Sequence, residues 1–415
     1  MSGLTLPVVV HGMTGRMGQI AVRALQSISS RRALQFEGEP VTPEPIGVGR
    51  NPSKVDAVAA ELGLSHAFVD LNRALDLARK INPDLQLYHN TLTTGIRRAS
   101  LLQVLPLLDP SKTAVYMEKP LASNYADGYA IVRALEDGGF RHGVVHHMLA
   151  TPGVRRALEL MPRIKPVSAH MVFGYEVGPG FSGNEDYAGQ RPDFNWRYAD
   201  AGGGIILDMC HEGYLSEALF GPSERLSAVA RLLVPERRST DGRSTIVCDV
   251  EDYAALRREH RSGVVNTSIW SWYRRVNSEF GPLEISVEGL GGSLVFGLYG
   301  LKVQWAESAP ANRWERSVTG KKTVWRDFWT CEDPGYQDPF AHELVEYLSA
   351  LLEGRSYPKN AVHALDLLGE VEAFYSSAAR DGIVIERSGV LSYPAAPPDG
   401  WEPERLQSRL RSVSG

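Results

Sequence analysis

The chain has 415 residues, 44 of them basic and 49 acidic, for a formal charge of −5, and 43% are apolar. That length exceeds one ordinary core, which stops growing at roughly 250–300 residues, so two domains are expected. The apolar share excludes wholesale disorder, and the slight negative charge leaves no electrostatic footprint for nucleic acid or an anionic membrane.

Leu6–Val10, with β-branched Val8–Val10, reads as a buried strand running into a glycine-rich turn. Gly18–Leu25 then sets Ile20, Ala21, Ala24 and Leu25 at helical spacing. Ile46–Val48 is a second strand. A helix follows from about Ser53, a candidate N-cap, to Leu62, with Gly63 at the C-terminal glycine position. Ala67–Val69, a helix around Asn72–Lys80, a strand at Leu85–Tyr88, a helix near Ile96–Leu107 and a strand at Ala114–Met117 continue the alternation. A helix at Tyr125–Asp137 and a strand at His142–His146 complete a six-stranded, doubly wound parallel sheet.

After about residue 150 the rhythm changes. A helix at Pro152–Met161 leads to a run at Val167–Tyr175, a loop rich in Gly, Asp and aromatics to Ala201, and a helix near Ile205–Phe220. Ala228–Val234, Ile246–Leu256, Gly263–Tyr273, Leu283–Glu288, Ser293–Phe296 and Leu301–Trp305 then follow with no helix between them, which predicts a mainly antiparallel sheet. Helical patterns return at Phe340–Leu352 and Ala361–Arg380, before a proline-rich tail from Ser388.

Cys210, Cys248 and Cys331 are far apart and form no CxxC pair, which argues against a disulfide framework or a cysteine zinc site, and no metal is expected. No apolar run approaches the roughly 20 residues of a membrane helix, and the first residues lack a basic segment and a small-residue cleavage site. A soluble protein of the reducing cytoplasm is expected.

The turn Gly12-Met13-Thr14-Gly15-Arg16-Met17-Gly18 joins the first strand to the first helix. Glycines there make a tight turn, let backbone N–H groups approach a pyrophosphate, and allow close helix–strand packing, while the helix N-terminus favours the phosphate. Gly12, Thr14, Gly15, Arg16, Met17 and Gly18 are therefore candidate cofactor contacts, with Asn90 and Thr91 after the fourth strand. The turn after the second strand, Gly49-Arg50-Asn51-Pro52-Ser53-Lys54, carries no carboxylate to hold a ribose 2′-hydroxyl, and Arg50 and Ser53 can donate to a 2′-phosphate. NADP is favoured over NAD. Glu37 and Glu39 lie at a suitable sequence distance but precede a proline-rich insert instead of ending a strand.

Glu118-Lys119-Pro120 ends a parallel strand at its carboxyl end, where ligands of doubly wound sheets bind, and a lysine there can donate to a substrate hydroxyl or help deprotonate it. Gly202-Gly203-Gly204 leads into a helix with Asp208 and His211 at i and i+3, a spacing that puts carboxylate and imidazole on one face. Lys119, Asp208 and His211 are the candidate catalytic group, with His211 as the expected general base.

These motifs, with Trp196-Arg197 before the Gly-Gly-Gly-led helix and closing helices ending in Ser376-Ser377-Ala378-Ala379-Arg380, resemble the glucose–fructose oxidoreductase/inositol dehydrogenase (Gfo/Idh/MocA) family. The resemblance implies a Rossmann domain over 1–148, an α+β domain with an open, mainly antiparallel sheet over 149–338, helices 339–387 packing back on the first domain, and an irregular tail 388–415. It also implies a homo-oligomer formed through the open sheet. Glu118 would contact the nicotinamide ribose, and the substrate would be a sugar, a sugar derivative or a cyclitol. Two features depart from the family pattern. Asp208 and His211 are three apart, with Glu212 at the fourth position, so the base is either His211 or Glu212. His146-His147 stands where an Asn/Tyr-Arg pair is usual, so His147 replaces a substrate contact. Trp196 is a candidate platform for a sugar C–H face, ahead of Trp270, Trp272 and Tyr273. Tyr175 and Arg197 are candidate hydroxyl or phosphate contacts, and Ser182–Asp193 is a candidate site-covering loop or partner contact.

The leading expectation is an NAD(P)-dependent dehydrogenase acting on a secondary hydroxyl of a sugar, glycoside or cyclitol. The alternatives are redox-assisted glycoside cleavage within the same family and a non-catalytic NADP-sensing regulator.

Overall fold

The computed structural model describes residues 4–174, 191–274, 279–308 and 329–403. The alternating first third folds as predicted into strands β1 (Leu4–His11), β2 (Gln35–Phe36), β3 (Glu39–Val48), β4 (Ala67–Phe68), β5 (Gln86–Asn90), β6 (Thr113–Met117) and β7 (His142–Val144). Helices α1 (Arg16–Arg31), α2 (Pro52–Leu62), α3 (Leu71–Ile81), α4 (Thr94–Val104) and α5 (Tyr125–Asp137) connect them. The sheet order is β4-β3-β1-β5-β6-β7, all parallel, with β2 added antiparallel at the start of β3. Chain order reverses between β1 and β5, so the crevice past His11 and Asn90 is where a ligand belongs.

The second strand is longer than predicted, because the proline-rich insert is itself strand. Pro43 and Pro45 share the parity of Gly47, whose N–H reaches across to the His66 carbonyl, so the missing donors lie on the outer side of β3. Between β2 and β4 no described strand pairs that side, and no ladder bond is lost. Glu37 and Glu39 begin this strand, so about 30 Å separates them from its carboxyl end.

The remaining strands form the mainly antiparallel sheet that the sequence predicts. They are β8 (Pro166–Gly174), β9 (Ser223–Arg231), a hairpin β10 (Glu236–Arg238) and β11 (Thr245–Val247), β12 (Tyr253–His260), β13 (Val265–Ser271), β14 (Leu283–Gly289), β15 (Gly292–Phe296), β16 (Leu301–Trp305), β17 (Thr330–Glu332) and β18 (Ile385–Glu386). The nine-stranded order is β17-β16-β15-β14-β8-β13-β12-β9-β18, with β8–β13 the parallel pair. Burial alternates along β12, β13 and β14, so one face packs on helices while the other keeps half-exposed side chains. The remaining helices are α6 (Pro152–Ile164), the short α7 (Tyr198–Ala201) and α8 (Ile205–Asp208), α9 (His211–Phe220), α10 (Pro339–Leu352), which packs on the first sheet, and α11 (Ala361–Ala379). From α10, Tyr347 stacks on Tyr116 of β6 at 4.5 Å and donates to the Val115 carbonyl at 3.1 Å. Beside α11, the Lys359 carbonyl accepts the Val144 N–H at 2.9 Å.

Candidate active site

The glycine turn is dictated by space. Gly12 has φ +103°, and a Cβ there would stand 2.8 Å from Thr91 Oγ1, while a Cβ on Gly18 would run into the Gly12 carbonyl. The first turn of α1 carries no acidic residue, so its N-terminus keeps its positive end uncompensated. Gly15, Arg16, Met17 and Thr91 line a cavity of about 470 Å³. Asn90 is fully buried beneath it, with its amide nitrogen 3.3 Å from the Tyr88 hydroxyl and its oxygen accepting the Leu92 N–H at 3.2 Å. The turn after β3 lies against Thr14, since a Cβ on Gly49 would meet the Thr14 methyl group at 2.9 Å. Arg50 is exposed in that turn. Ser53 is not the N-cap of α2: Asn51 caps it by accepting the Lys54 N–H, and the Ser53 hydroxyl donates to Asn51 Oδ1 at 2.8 Å.

At the other end of the same cavity stand Glu118, Lys119, His147, Arg191, Asp208 and His211. The Lys119-Pro120 bond is cis. Buried Arg97 holds the loop by donating to the Pro120 and Leu92 carbonyls. Burial pushes the Glu118 carboxyl up to about 7, against the opposing pull of Arg97 and Lys119, and Glu118 Oε2 has no hydrogen-bond partner among the described residues. Lys119 Nζ donates to the Asp208 carbonyl oxygen at 2.7 Å and lies 3.6 Å from Asp208 Oδ1. Arg191 Nη2 reaches Asp208 Oδ2 at 2.5 Å, and its guanidinium stacks over Trp272 at 4.3 Å. Burial alone would raise the Asp208 carboxyl, but these two cations outweigh it and hold it at about 2. Burial, reinforced by Lys119, keeps the His211 imidazole well below its ordinary value and pushes His147 down to about 3. His211 Nδ1 is hydrogen-bonded to the Tyr214 hydroxyl, leaving Nε2 for the cavity. His147 stacks on Phe340 at 4.2 Å and meets His211 edge-on at 5.1 Å.

Several expectations are corrected. The predicted helix over 205–220 breaks at Met209–Cys210, so Asp208 ends one helix and His211 starts the next. They do not share a helix face: the Asp208 side chain serves Lys119 and Arg191, and Tyr214 orients His211. Glu212 is not available as a base. It points away into the core, where it pairs with Arg258 Nη2 at 2.6 Å and accepts from Ser216 and Ser268. Trp196 is no sugar platform either. The 3-10 turn Asp193–Trp196 presents Phe194 and Asn195 to the cavity and turns Trp196 inward, 5.3 Å from Trp272 and beneath Arg237. Arg197 is exposed outside the cavity. Trp270 is buried against Phe173, and Tyr273 belongs to the open sheet face. Tyr175 and most of Ser182–Asp193 lie outside the described residues. Sequence reasoning passed over Arg97, Asn195, Tyr214 and Phe340, whereas Arg191 falls within the candidate loop Ser182–Asp193. Of those passed over, only Tyr214 carried a signal, three residues after His211.

A doubly wound sheet and an open antiparallel sheet flanking one cavity, with a glycine turn at one end and a lysine–histidine pair at the other, define a two-domain dinucleotide-type fold. Residues 166–295 match the GFO/IDH/MocA C-terminal domain. A D-xylose dehydrogenase of Paenarthrobacter nicotinovorans is 28% identical over 363 residues, covering 84% of this chain and 89% of that protein. A levoglucosan dehydrogenase solved with NADH and L-sorbose is similar in fold, with a TM-score of 0.72 at 18% identity over 92% of this chain and 98% of that one. An Agrobacterium radiobacter oxidoreductase solved with NAD+, L-tartaric acid and magnesium has a TM-score of 0.65 at 16% identity, over 93% and 98% of the two chains. The match over residues 166–295 and the shared fold agree with the resemblance to the Gfo/Idh/MocA family read from the sequence.

Proposed function

We propose that the protein is an NAD(P)-dependent dehydrogenase that acts on a secondary hydroxyl of a sugar, glycoside or cyclitol. The observation that carries this reading is that Lys119 and His211 line the same cavity as the N-terminus of α1. The residues fit a dinucleotide: Gly12 and Gly18 leave no room for side chains, and Glu118 Oε2 is a buried acceptor without a partner among the described residues. The similarity to sugar dehydrogenases supports the substrate class.

Gly15, Arg16 and the first amides of α1 would hold the pyrophosphate, and Glu118 would accept from a ribose hydroxyl. Such a cofactor, when bound, supplies the hydride acceptor. The chain's own residues handle the proton. Lys119 turns N–H groups to the Asp208 carbonyl and carboxylate, which leaves one donor to hold the substrate oxygen as it gains negative charge. His211, neutral because its pKa is depressed, takes the hydroxyl proton on Nε2 while Tyr214 fixes the ring through Nδ1. Asp208 stays ionised between Lys119 and Arg191 and anchors both cations. The half-exposed face of the nine-stranded sheet would carry the contact between copies of the chain.

A panel of sugars, glycosides and polyols, followed by reduced-nicotinamide absorbance with both cofactors, tests the reading. We expect stoichiometric reduced nucleotide and an unbroken oxidised product. Nucleotide binding without turnover across the panel would refute it. Tyr214→Phe should lower kcat about 3- to 10-fold, the worth of one hydrogen bond, with little change in nucleotide affinity; steady-state kinetics beside nucleotide titration measures both. NADP is favoured over NAD because Arg50 lies in the turn beside Thr14 and no carboxylate stands at the carboxyl end of β3 or in the turn Gly49-Arg50-Asn51-Pro52-Ser53-Lys54. Arg50→Ala should therefore weaken NADPH more than NADH in fluorescence titrations, and equal losses would remove the 2′-phosphate assignment.

A further inference from the structure

The three glycines before Asp208 lead to an acidic residue that the mechanism above does not use. Glu251 precedes β12 and is 2% exposed, yet among the described residues no cation pairs with it. Its side chain accepts the N–H of Gly204 at 3.1 Å and of Ile206 at 3.0 Å, and its own carbonyl accepts the N–H of Ile205 at 2.9 Å. Tyr375 of α11 donates its hydroxyl to Glu251 Oε1 at 2.8 Å and meets the Leu207 backbone in turn. The first N–H groups of a helix have no partner within it. Here all of them, from Gly204 to Leu207, end on this one acid and its tyrosine. The glycines are the negative image of the pair: a Cβ on Gly203 would strike the Tyr375 hydroxyl, and one on Gly204 would strike the Glu251 carbonyl.

Helix α8 is a single turn, so what anchors its first residue also sets its last, about 6 Å further on. That last residue is Asp208, whose carbonyl and carboxylate hold Lys119 from the other sheet. We propose that Glu251 and Tyr375 are positioning residues: they fix α8 so that Asp208 holds the Lys119 ammonium at the reacting oxygen. The catalytic consequence rests on the function proposed above, whereas the placement of Lys119 does not.

The test uses Tyr375→Phe, which removes one hydroxyl, and Glu251→Gln, each in the full-length chain. The first readout is the rate of Lys119 reductive methylation by formaldehyde and borohydride, followed by peptide mass spectrometry with the other lysines as internal reference. The second is kcat per nucleotide-binding site. We expect Lys119 to label about 3- to 10-fold faster in both variants as its clamp loosens. We expect kcat per site to fall about 3- to 10-fold for Tyr375→Phe and about 10- to 100-fold for Glu251→Gln, with nucleotide affinity within about twofold of wild type. Wild-type Lys119 labelling in the soluble Tyr375→Phe variant overturns the proposal, whether or not kcat falls. A wild-type protein that oxidises nothing in the panel overturns the dehydrogenase reading instead, and the labelling comparison still decides this one.

Discussion

Lys119→Ala should lower kcat about 10³-fold while leaving nucleotide affinity within about twofold. The side chain meets Asp208 in the cavity, and on the proposed function its ammonium would stabilise charge on the substrate oxygen. Loss of a positioned acid–base or electrostatic group commonly costs about 10²–10⁴-fold. Arg191 remains to neutralise Asp208, so the variant should fold. The glycine turn and α1 lie at the opposite end of the cavity, which is why the nucleotide is spared. Turnover assays beside calorimetric nucleotide titration separate the two effects, and an unchanged kcat would remove Lys119 from the chemistry.

Arg258→Leu should destabilise the fold by about 3–5 kcal/mol, the usual penalty for leaving a buried charge unpaired. Its guanidinium is 2% exposed and bridges Glu212 of α9 to Glu370 of α11, both buried. Arg387 still reaches Glu370 at 2.8 Å after the change, so Glu212 is the carboxylate left most exposed to the penalty. Ser216 and Ser268 solvate it only in part. Urea unfolding followed by far-ultraviolet dichroism measures the loss, and a midpoint equal to wild type would mean that the network contributes nothing net.

Much of the fold was legible because the local signals agree with the tertiary ones. Tyr125–Asp137 has its Asn124 cap and the strand entering the glycine turn carries a continuous apolar run, so pattern and packing point the same way. The first half of β3 was hidden because three prolines argue against a strand, and only pairing parity makes Pro43 and Pro45 harmless. The break at Met209–Cys210 was hidden because the apolar periodicity runs straight through it. That break is why a spacing of three misled about which residue supports His211. Trp196 was misplaced because composition marks an aromatic but not the direction in which a 3-10 turn points it. Arg97 and Phe340 join the cavity from distant segments, and one sequence holds no local trace of such contacts.

The prolines of β3 have a consequence beyond the cavity. A stray strand approaching the stretch between β2 and β4 would meet no amide hydrogen at Pro43 or Pro45, and the Pro43 carbonyl already accepts from Ser29 at 2.8 Å. The rim of a long parallel sheet is an inviting template for aggregation during folding, and here it has been made unable to recruit.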